Sequence, residues 1–504
     1  MLQVVWFKRD LRTQDNAALT AALNAGPTLC IYVLEPEYWQ LPDTSNRQWM
    51  FIRESLLDLH QDLMSKNGGL QWYAGSVIDV LETIQKEYGT FALHSHEETG
   101  NLWTYQRDKN VKKWCQQQGV HWQEYRQFSV TRALNNRDMW ASTWKKNMEQ
   151  PVVVLPKNGV FSWLNHTQPA QDLPHSVSHD PTPCLGRQRG GRKLALSVFE
   201  SFLTLRGETY RGSISSPITA ESACSRLSPY LAYGCLSMKE LYQTLQQHQQ
   251  SASGRWKASL SAFESRLWWH CHFIQKLEDE PQMEINNLHP ATAHLNRIMN
   301  EEFFSAWQHG RTGWPMVDAC MRYLQHYGWI NFRMRAMLVS VASFPLWLPW
   351  QPVSHWLASL FTDYEPGIHY PQVQMQAGTT GINIPRMYNP ITQAQKCDPS
   401  GNFVRQWVPE LKHVSDQWIF EPWLMSKKQQ QHFGLIIGED YPAPLVDFAQ
   451  ASRMARARMQ HINTGEYRAT AKEIGQKHGS RKRRFPRKKW PSRASKNEQQ
   501  LSLF

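Results

Sequence analysis

Residues 384–411 read IPRMYNPITQAQKCDPSGNFVRQWVPEL, and two turns punctuate them. In Tyr388-Asn389-Pro390, Asn389 tolerates unusual backbone angles and Pro390 fixes φ. In Asp398-Pro399-Ser400-Gly401, Asp, Pro and Gly occupy the first, second and fourth positions that suit a type I turn. A run containing Trp407 follows, closed by Val408-Pro409-Glu410-Leu411. On turn chemistry alone, this stretch is two tight turns flanking packed aromatic segments.

The whole chain, at 504 residues, has room for roughly two to four domains and a sizeable core. With 41% hydrophobic and 19% charged residues, it reads as globular rather than disordered. Its 23 Trp are an excess that serves first as core, and otherwise as stacking surfaces or electron-transfer stepping stones. A net charge of +12 favours a polyanionic partner. Much of that charge crowds between Lys477 and Lys496, so the body is less basic than the whole. The eight cysteines are scattered with no Cys-x-x-Cys pair, which predicts no disulfide framework, no metal site and a reducing cytoplasm. The opening MLQVVWFKRD lacks a basic segment before a long apolar core, and no apolar run is long enough to span a bilayer. Neither a signal peptide nor membrane attachment is expected.

Leu2 to Phe7, Thr28 to Leu34, Gly69 to Tyr73 and Phe91 to Ser95 read as strands, with helical spacing over Gln48 to Ser65 and Val77 to Tyr88. This alternation predicts a doubly wound α/β domain over residues 1–130, with strand-end loops forming a crevice. No Gly-x-Gly-x-x-Gly string supports a nicotinamide site. Residues 131–193, rich in Pro, Asn, Gln, His and Gly, read as an interdomain connector. Residues 194–450 read as predominantly helical. Pro315 suits a first helical turn, Val317, Met321 and Leu324 form a buried stripe, and Pro345 and Pro349 punctuate the next helix. Over 451–504 charge rises and apolar periodicity fades, so a disordered basic tail is expected.

Several strings carry a resemblance: VVWFKRDLRTQDNAAL (Val4–Leu19), SRLSPYL (Ser225–Leu231), GRTGWPMVDACMRYL (Gly310–Leu324), the Gly328–Arg335 run and the stretch quoted first. Together they resemble the photolyase/cryptochrome family over about residues 1–450, the last string being similar to its flavin-domain signature. The resemblance implies an N-terminal antenna-type α/β domain plus a C-terminal all-helical FAD-binding domain. In the family, the Ser-Arg-Leu-Ser-Pro loop starts a helix and holds flavin phosphates, for which hydroxyls and free N–H groups at a helix N-terminus are suited. Ser225, Leu227 and Ser228 match, Cys224 stands where Thr is usual, and Tyr210 sits where a second phosphate contact is expected. Read in isolation, the loop is an ordinary Ser-Pro helix start.

Arg335 and Asp363 match the pair beside the isoalloxazine ring, and Glu365 replaces a second Asp. A cation there stabilises electron density on the reduced flavin. Elsewhere the chain departs from the pattern, with DYEPGIHYPQVQM from Asp363 to Met375. His369 takes the place of the Asn facing the reactive flavin nitrogen, where its titration would make reduction pH-sensitive. Val373 replaces the Trp nearest the flavin, and Met375 a Trp that stacks on the lesion. Trp269 matches a lesion-contacting Trp, but Arg266 stands for Glu, His270 for Arg and Phe332 for Asn. The expected catalytic set is Trp269, His369 and Arg335. His270 joins the cofactor-binding set. Arg266, Trp269, Phe332, Met375 and Arg386 form the DNA-facing set. Trp350 matches the middle Trp of the usual electron-transfer triad, and Trp356 is its expected companion. Trp347, Tyr364 and Tyr370 are nearby alternatives.

The activity implied is light-driven repair of pyrimidine dimers in DNA by electron transfer from reduced FAD to a flipped-out lesion. The alternatives are a cryptochrome-like photoreceptor without repair activity and repair of (6-4) photoproducts. The (6-4) enzymes use a His near the position where Asn331-Phe332 stands here, which favours cyclobutane dimers. The resemblance leaves the antenna pocket open between methenyltetrahydrofolate, a deazaflavin and no pigment at all, and His94, His96, Glu97, Glu98 and Asn101 form a polar cluster that reads either as the lining of that crevice or as solvated loop residues. No cysteine follows Cys397, so the iron–sulfur cluster of one bacterial branch is not expected. The chain is expected to be a monomer. Gln500-Leu501-Ser502-Leu503-Phe504 resembles the bacterial sliding-clamp-binding motif, with Leu501, Leu503 and Phe504 as apolar anchors and Gln500 as a directional polar contact.

Overall fold

The computed structural model describes residues 1–162, 173–177, 182–382 and 386–480. Five strands form one parallel sheet: Leu2–Phe7 (β1), Thr28–Leu34 (β2), Leu70–Ala74 (β3), Phe91–His96 (β4) and His121–Tyr125 (β5). The helices Ala17–Ala25 (α1), Asn46–Met64 (α2), Val77–Tyr88 (α3) and Leu102–Gln118 (α4) connect them. β2 and β4 are buried along their whole length, β2 as the continuous apolar strand expected when both faces are covered, β4 with His94, Ser95 and His96 buried at its end. The order β3-β2-β1-β4-β5 reverses between β1 and β4, which opens a crevice beyond their carboxyl ends.

Sequence periodicity matches four of these strands, α2 and α3, and misses β5, α1 and α4. β5 is HWQEY, an edge strand whose polar residues face solvent and hide its pattern. The connector is more structured than its composition suggests. Trp140–Met148 forms a helix, with Trp140 and Trp144 buried. The Trp140 indole donates to Gln275 Oε1 at 3.0 Å and its ring meets Trp268 edge-on, so this segment packs into the helical half.

The second half is built of helices that include Gly254–Asp279, Pro315–Tyr327, Phe332–Ser343, Trp350–Leu360 and Pro366–Ala377. Pro315 sits at the first turn of its helix, and Val317, Met321 and Leu324 are fully buried. Asn389 accepts from the N–H groups of Ile391 and Thr392, capping the helix Pro390–Cys397. Gly401 N–H donates to the Asp398 carbonyl at 2.9 Å to close the second turn, and the Asp398 carboxylate caps Phe403 and Val404. No helix among the described residues is long and apolar enough to cross a membrane.

The expected disordered tail needs correction. Phe448–His461 and Gly465–His478 are helices. Ala, Arg, Met and Gln there are strong helix formers. The second helix is also docked: Tyr467 stacks on His289 at 3.9 Å, and Lys477 pairs with Glu280 at 2.6 Å. Residues 481–504, with the Gln500–Phe504 motif, lie outside the described residues.

Candidate flavin site and its surroundings

The Ser225–Ser228 loop is shaped by its backbone. Arg226 has φ of +59°, and Leu227 follows at φ −93°, ψ −6°. Such alternation turns successive N–H groups to one side, a concavity suited to an anion. Ser228 then opens the short helix Ser228–Ala232. Among the described residues nothing hydrogen-bonds the Ser225 or Ser228 hydroxyl. The loop is held from behind by Arg206, which donates to the carbonyls of Ser225 (2.8 Å), Val198 (2.9 Å), Ser222 (3.2 Å) and Cys224. Arg226 stacks over Trp329 at 3.9 Å and bonds Gln188. Tyr210 is buried nearby, its phenol pushed well up by desolvation, with Arg266 beside its hydroxyl.

Arg335 forms a bidentate pair with Asp363, at 3.0 and 2.8 Å. A third bond runs to the Ile330 carbonyl at 2.7 Å, and the guanidinium lies 4.0 Å over the Phe361 ring. This fixes one cation in one orientation. Glu365 caps the helix Pro366–Ala377 and lies 3.6 Å from Arg9 of the α/β half; burial raises its carboxyl, against the pull of Arg9. His369 is buried, its Nε2 donating to the Ser354 carbonyl at 2.9 Å. Burial pushes it down to about 4 despite that bond, so it stays uncharged at neutral pH. Any effect of its titration on flavin reduction moves with it, from neutrality toward acid.

Two family models match the chain in two separate blocks. Residues 3–133 match DNA photolyase, and residues 263–461 match the FAD binding domain of DNA photolyase. The chain belongs to the photolyase/cryptochrome family. It carries an FAD-binding domain. It is 28% identical to a deoxyribodipyrimidine photo-lyase of Vibrio cholerae, over 89% of this chain and 97% of that one. It is 27% identical to Cryptochrome-2 of Gallus gallus, over 91% and 83%. A bacterial class III photolyase from Agrobacterium tumefaciens has the same fold, with TM-score 0.80 and 24% identity over 92% of this chain and 97% of that one.

The residues present suit the family's cofactor. Partnerless hydroxyls and a concave run of N–H groups fit the phosphates, and the fixed Arg335 fits an electron-rich ring. The residues that depart from the family pattern lie on adjoining helices. Arg266 and His270, with the matching Trp269, belong to the helix Gly254–Asp279, which packs on Pro366–Ala377, the helix of His369, Val373 and Met375. Phe332, on a third helix packed against the latter, is 38% exposed. Trp269 is half-buried, edge-on to Trp268 and stacked on Phe273. Burial takes His270 down to about 3, Arg9 adding to the effect, so this residue offers no positive charge where Arg is usual. The Arg386 carbonyl accepts from Ser340.

Four residues of the antenna-side cluster are already engaged. His94 bonds Gln3 and Tyr125, His96 bonds Asp10 at 2.7 Å, Glu98 pairs with Arg107 at 2.6 Å, and Asn101 caps α4 while donating to Asp43. Arg206, Arg9 and Arg226 escaped the sequence reading. Arg226 lies within Ser225–Leu231 and Arg9 within Val4–Leu19, whereas nothing in the sequence marks Arg206, which acts on backbone carbonyls. Arg9 joins the halves, donating to the carbonyls of Ala232 at 2.8 Å and Tyr364 at 2.5 Å.

Proposed function

We propose that the chain repairs ultraviolet-damaged DNA by light-driven electron donation from reduced FAD to cyclobutane pyrimidine dimers. The observation that carries this reading is on one helix. Phe332, a large exposed apolar side chain, stands one turn from Arg335, whose orientation is fixed by Asp363. An exposed aromatic surface thus adjoins the cation of the flavin cradle, as an enzyme that receives an extruded base requires. Bound and excited by blue light, reduced FAD supplies the electron. The Ser225–Ser228 loop holds phosphate, Arg335 stabilises negative charge, and Trp269 offers a stacking face. His369, uncharged, adds no second cation. The net charge of +12 supports contact with the DNA backbone.

A photoreceptor without repair activity is the second reading, favoured by the uncharged His270 and His369 in the rebuilt pocket. The test gives reduced holoprotein oligonucleotides bearing a cyclobutane dimer or a (6-4) photoproduct, in light and dark. Splitting of the cyclobutane dimer supports the proposal. Lesion binding without splitting of either supports the photoreceptor.

An antenna pigment, methenyltetrahydrofolate or a deazaflavin, would be identified by extraction from holoprotein. The Gln500–Phe504 segment would recruit the chain to the bacterial sliding clamp, with the basic stretch Arg481–Lys489 adding salt-sensitive phosphate contacts. A C-terminal peptide that fails to bind purified clamp, or binds unchanged after Leu503→Ala with Phe504→Ala, removes that part.

A further inference from the structure

The two halves meet at a buried cluster that the flavin cradle does not use. Asp43, in the loop before α2, is 2% exposed. Its Oδ2 accepts from the hydroxyls of Tyr364 and Tyr370, the second at 3.0 Å, and from Asn101 Nδ2 at 3.1 Å. The two phenol oxygens are 3.2 Å apart, and both side chains are buried. Among the described residues no lysine or arginine pairs with Asp43. Glu284, His355, His369 and Tyr38 are further titratable side chains that act on this cluster. Tyr364 lies in sequence between Asp363 and Glu365. The His369 ring is 5.4 Å from that of Tyr364 and 5.5 Å from that of Tyr370.

The expected tryptophan route has no such continuity. Val373 is aliphatic. Trp350 is buried with its N–H on Asn287, and Trp356 keeps a buried indole N–H without an acceptor. Among the described residues neither ring is in contact with another aromatic ring. A neutral phenol gives up an electron readily only if its proton can leave at the same time. That requires a base within hydrogen-bond reach. Two phenols on one carboxylate oxygen meet this requirement.

We propose that Tyr364 and Tyr370 are a redox-active pair that feeds an electron toward the flavin, with the Asp43 carboxylate as proton acceptor. The inference rests on the flavin-dependent photochemistry proposed above. One electron leaves the phenol of Tyr364 for light-excited oxidised flavin. The O–H bond breaks, its proton passes to Oδ2 of Asp43, and a neutral phenoxyl radical and a carboxylic acid remain. Tyr370, bonded to the same oxygen, shares the radical. Recombination returns the electron and the proton, so the cycle closes without another reagent. Asn101 positions the carboxylate from the α/β half.

The test uses flavin-loaded full chain, with flavin content measured first, and electron paramagnetic resonance under blue light. The expected light-induced signal narrows when the chain carries ring-deuterated tyrosine. It disappears in Tyr364→Phe with Tyr370→Phe while flavin content is kept. Asp43→Asn keeps the side-chain volume and one acceptor, yet lowers the radical yield by about a hundredfold, as loss of a positioned base does, and abolishes the slowing seen in heavy water. A wild-type signal unaffected by tyrosine labelling overturns the proposal, as does full-rate photoreduction in the double Phe variant. The labelled wild type answers the question even where a variant folds poorly. A chain that takes up no flavin overturns the proposed function instead.

Discussion

Asp363→Ala removes both oxygens that the Arg335 guanidinium holds, at 3.0 and 2.8 Å. The Asp363 side chain is 4% exposed and that of Arg335 is 24%. Breaking a buried pair from one side costs about 3–5 kcal/mol, chiefly because a charge is left without its partner. Arg335 keeps its bond to the Ile330 carbonyl and its position over Phe361, and it reaches some solvent. The loss therefore falls at the lower end, about 3 kcal/mol. Urea unfolding followed by Trp fluorescence, with and without added FAD, reads the stability. Bound flavin per chain reads the cradle. Asp363→Asn, which preserves volume and one acceptor, should fall between Ala and the native chain. An Asp363→Ala protein within about 0.5 kcal/mol of native stability, the range of an ordinary surface change, and with full flavin content would refute the reasoning.

Arg206→Met should weaken FAD binding at least tenfold, about 1.4 kcal/mol, by freeing the carbonyls of Ser225 and Cys224; flavin titration checks it. His369→Asn should flatten stability in acid. The folded histidine titrates at about 4, below its unfolded value of 6.5, so the unfolded chain takes up the proton first as pH falls. The native protein thus loses stability from 6.5 down to about 4, by about 3 kcal/mol from this group, and no more below. Denaturation at a series of pH values should show that slope reduced by one proton in the variant. Gly234→Ala should cost about 3 kcal/mol or more. Gly234 has φ of +66°, and a Cβ there would sit 2.1 Å from the Arg9 carbonyl; the melting temperature reads it.

Much of the fold is legible where burial writes a period into the chain. β1, β2 and α3 were read from continuous or alternating apolar residues, and Asn389 and Asp398 from turn chemistry. α4 was missed because LWTYQRDKNVKKWCQQQ buries few residues and shows little apolar patterning. The two C-terminal helices were missed because their order comes from propensity and from docking, such as Tyr467 on His289. The cradle was read through strings whose residues lie close together in sequence. Asp43 was not, because it meets Tyr364 and Tyr370 only through folding, across more than three hundred positions. Arg206 was hidden for another reason, since its partners are carbonyls that every residue possesses.

The central claim is that this cradle drives repair with light. Its most direct measurement mixes reduced, flavin-loaded protein in excess with DNA containing a defined cyclobutane dimer, and counts restored pyrimidines after blue-light exposure. Restoration is expected only in light and only with reduced flavin bound, following the absorption of the flavin. Bound, reduced and illuminated protein that restores no pyrimidines would contradict it.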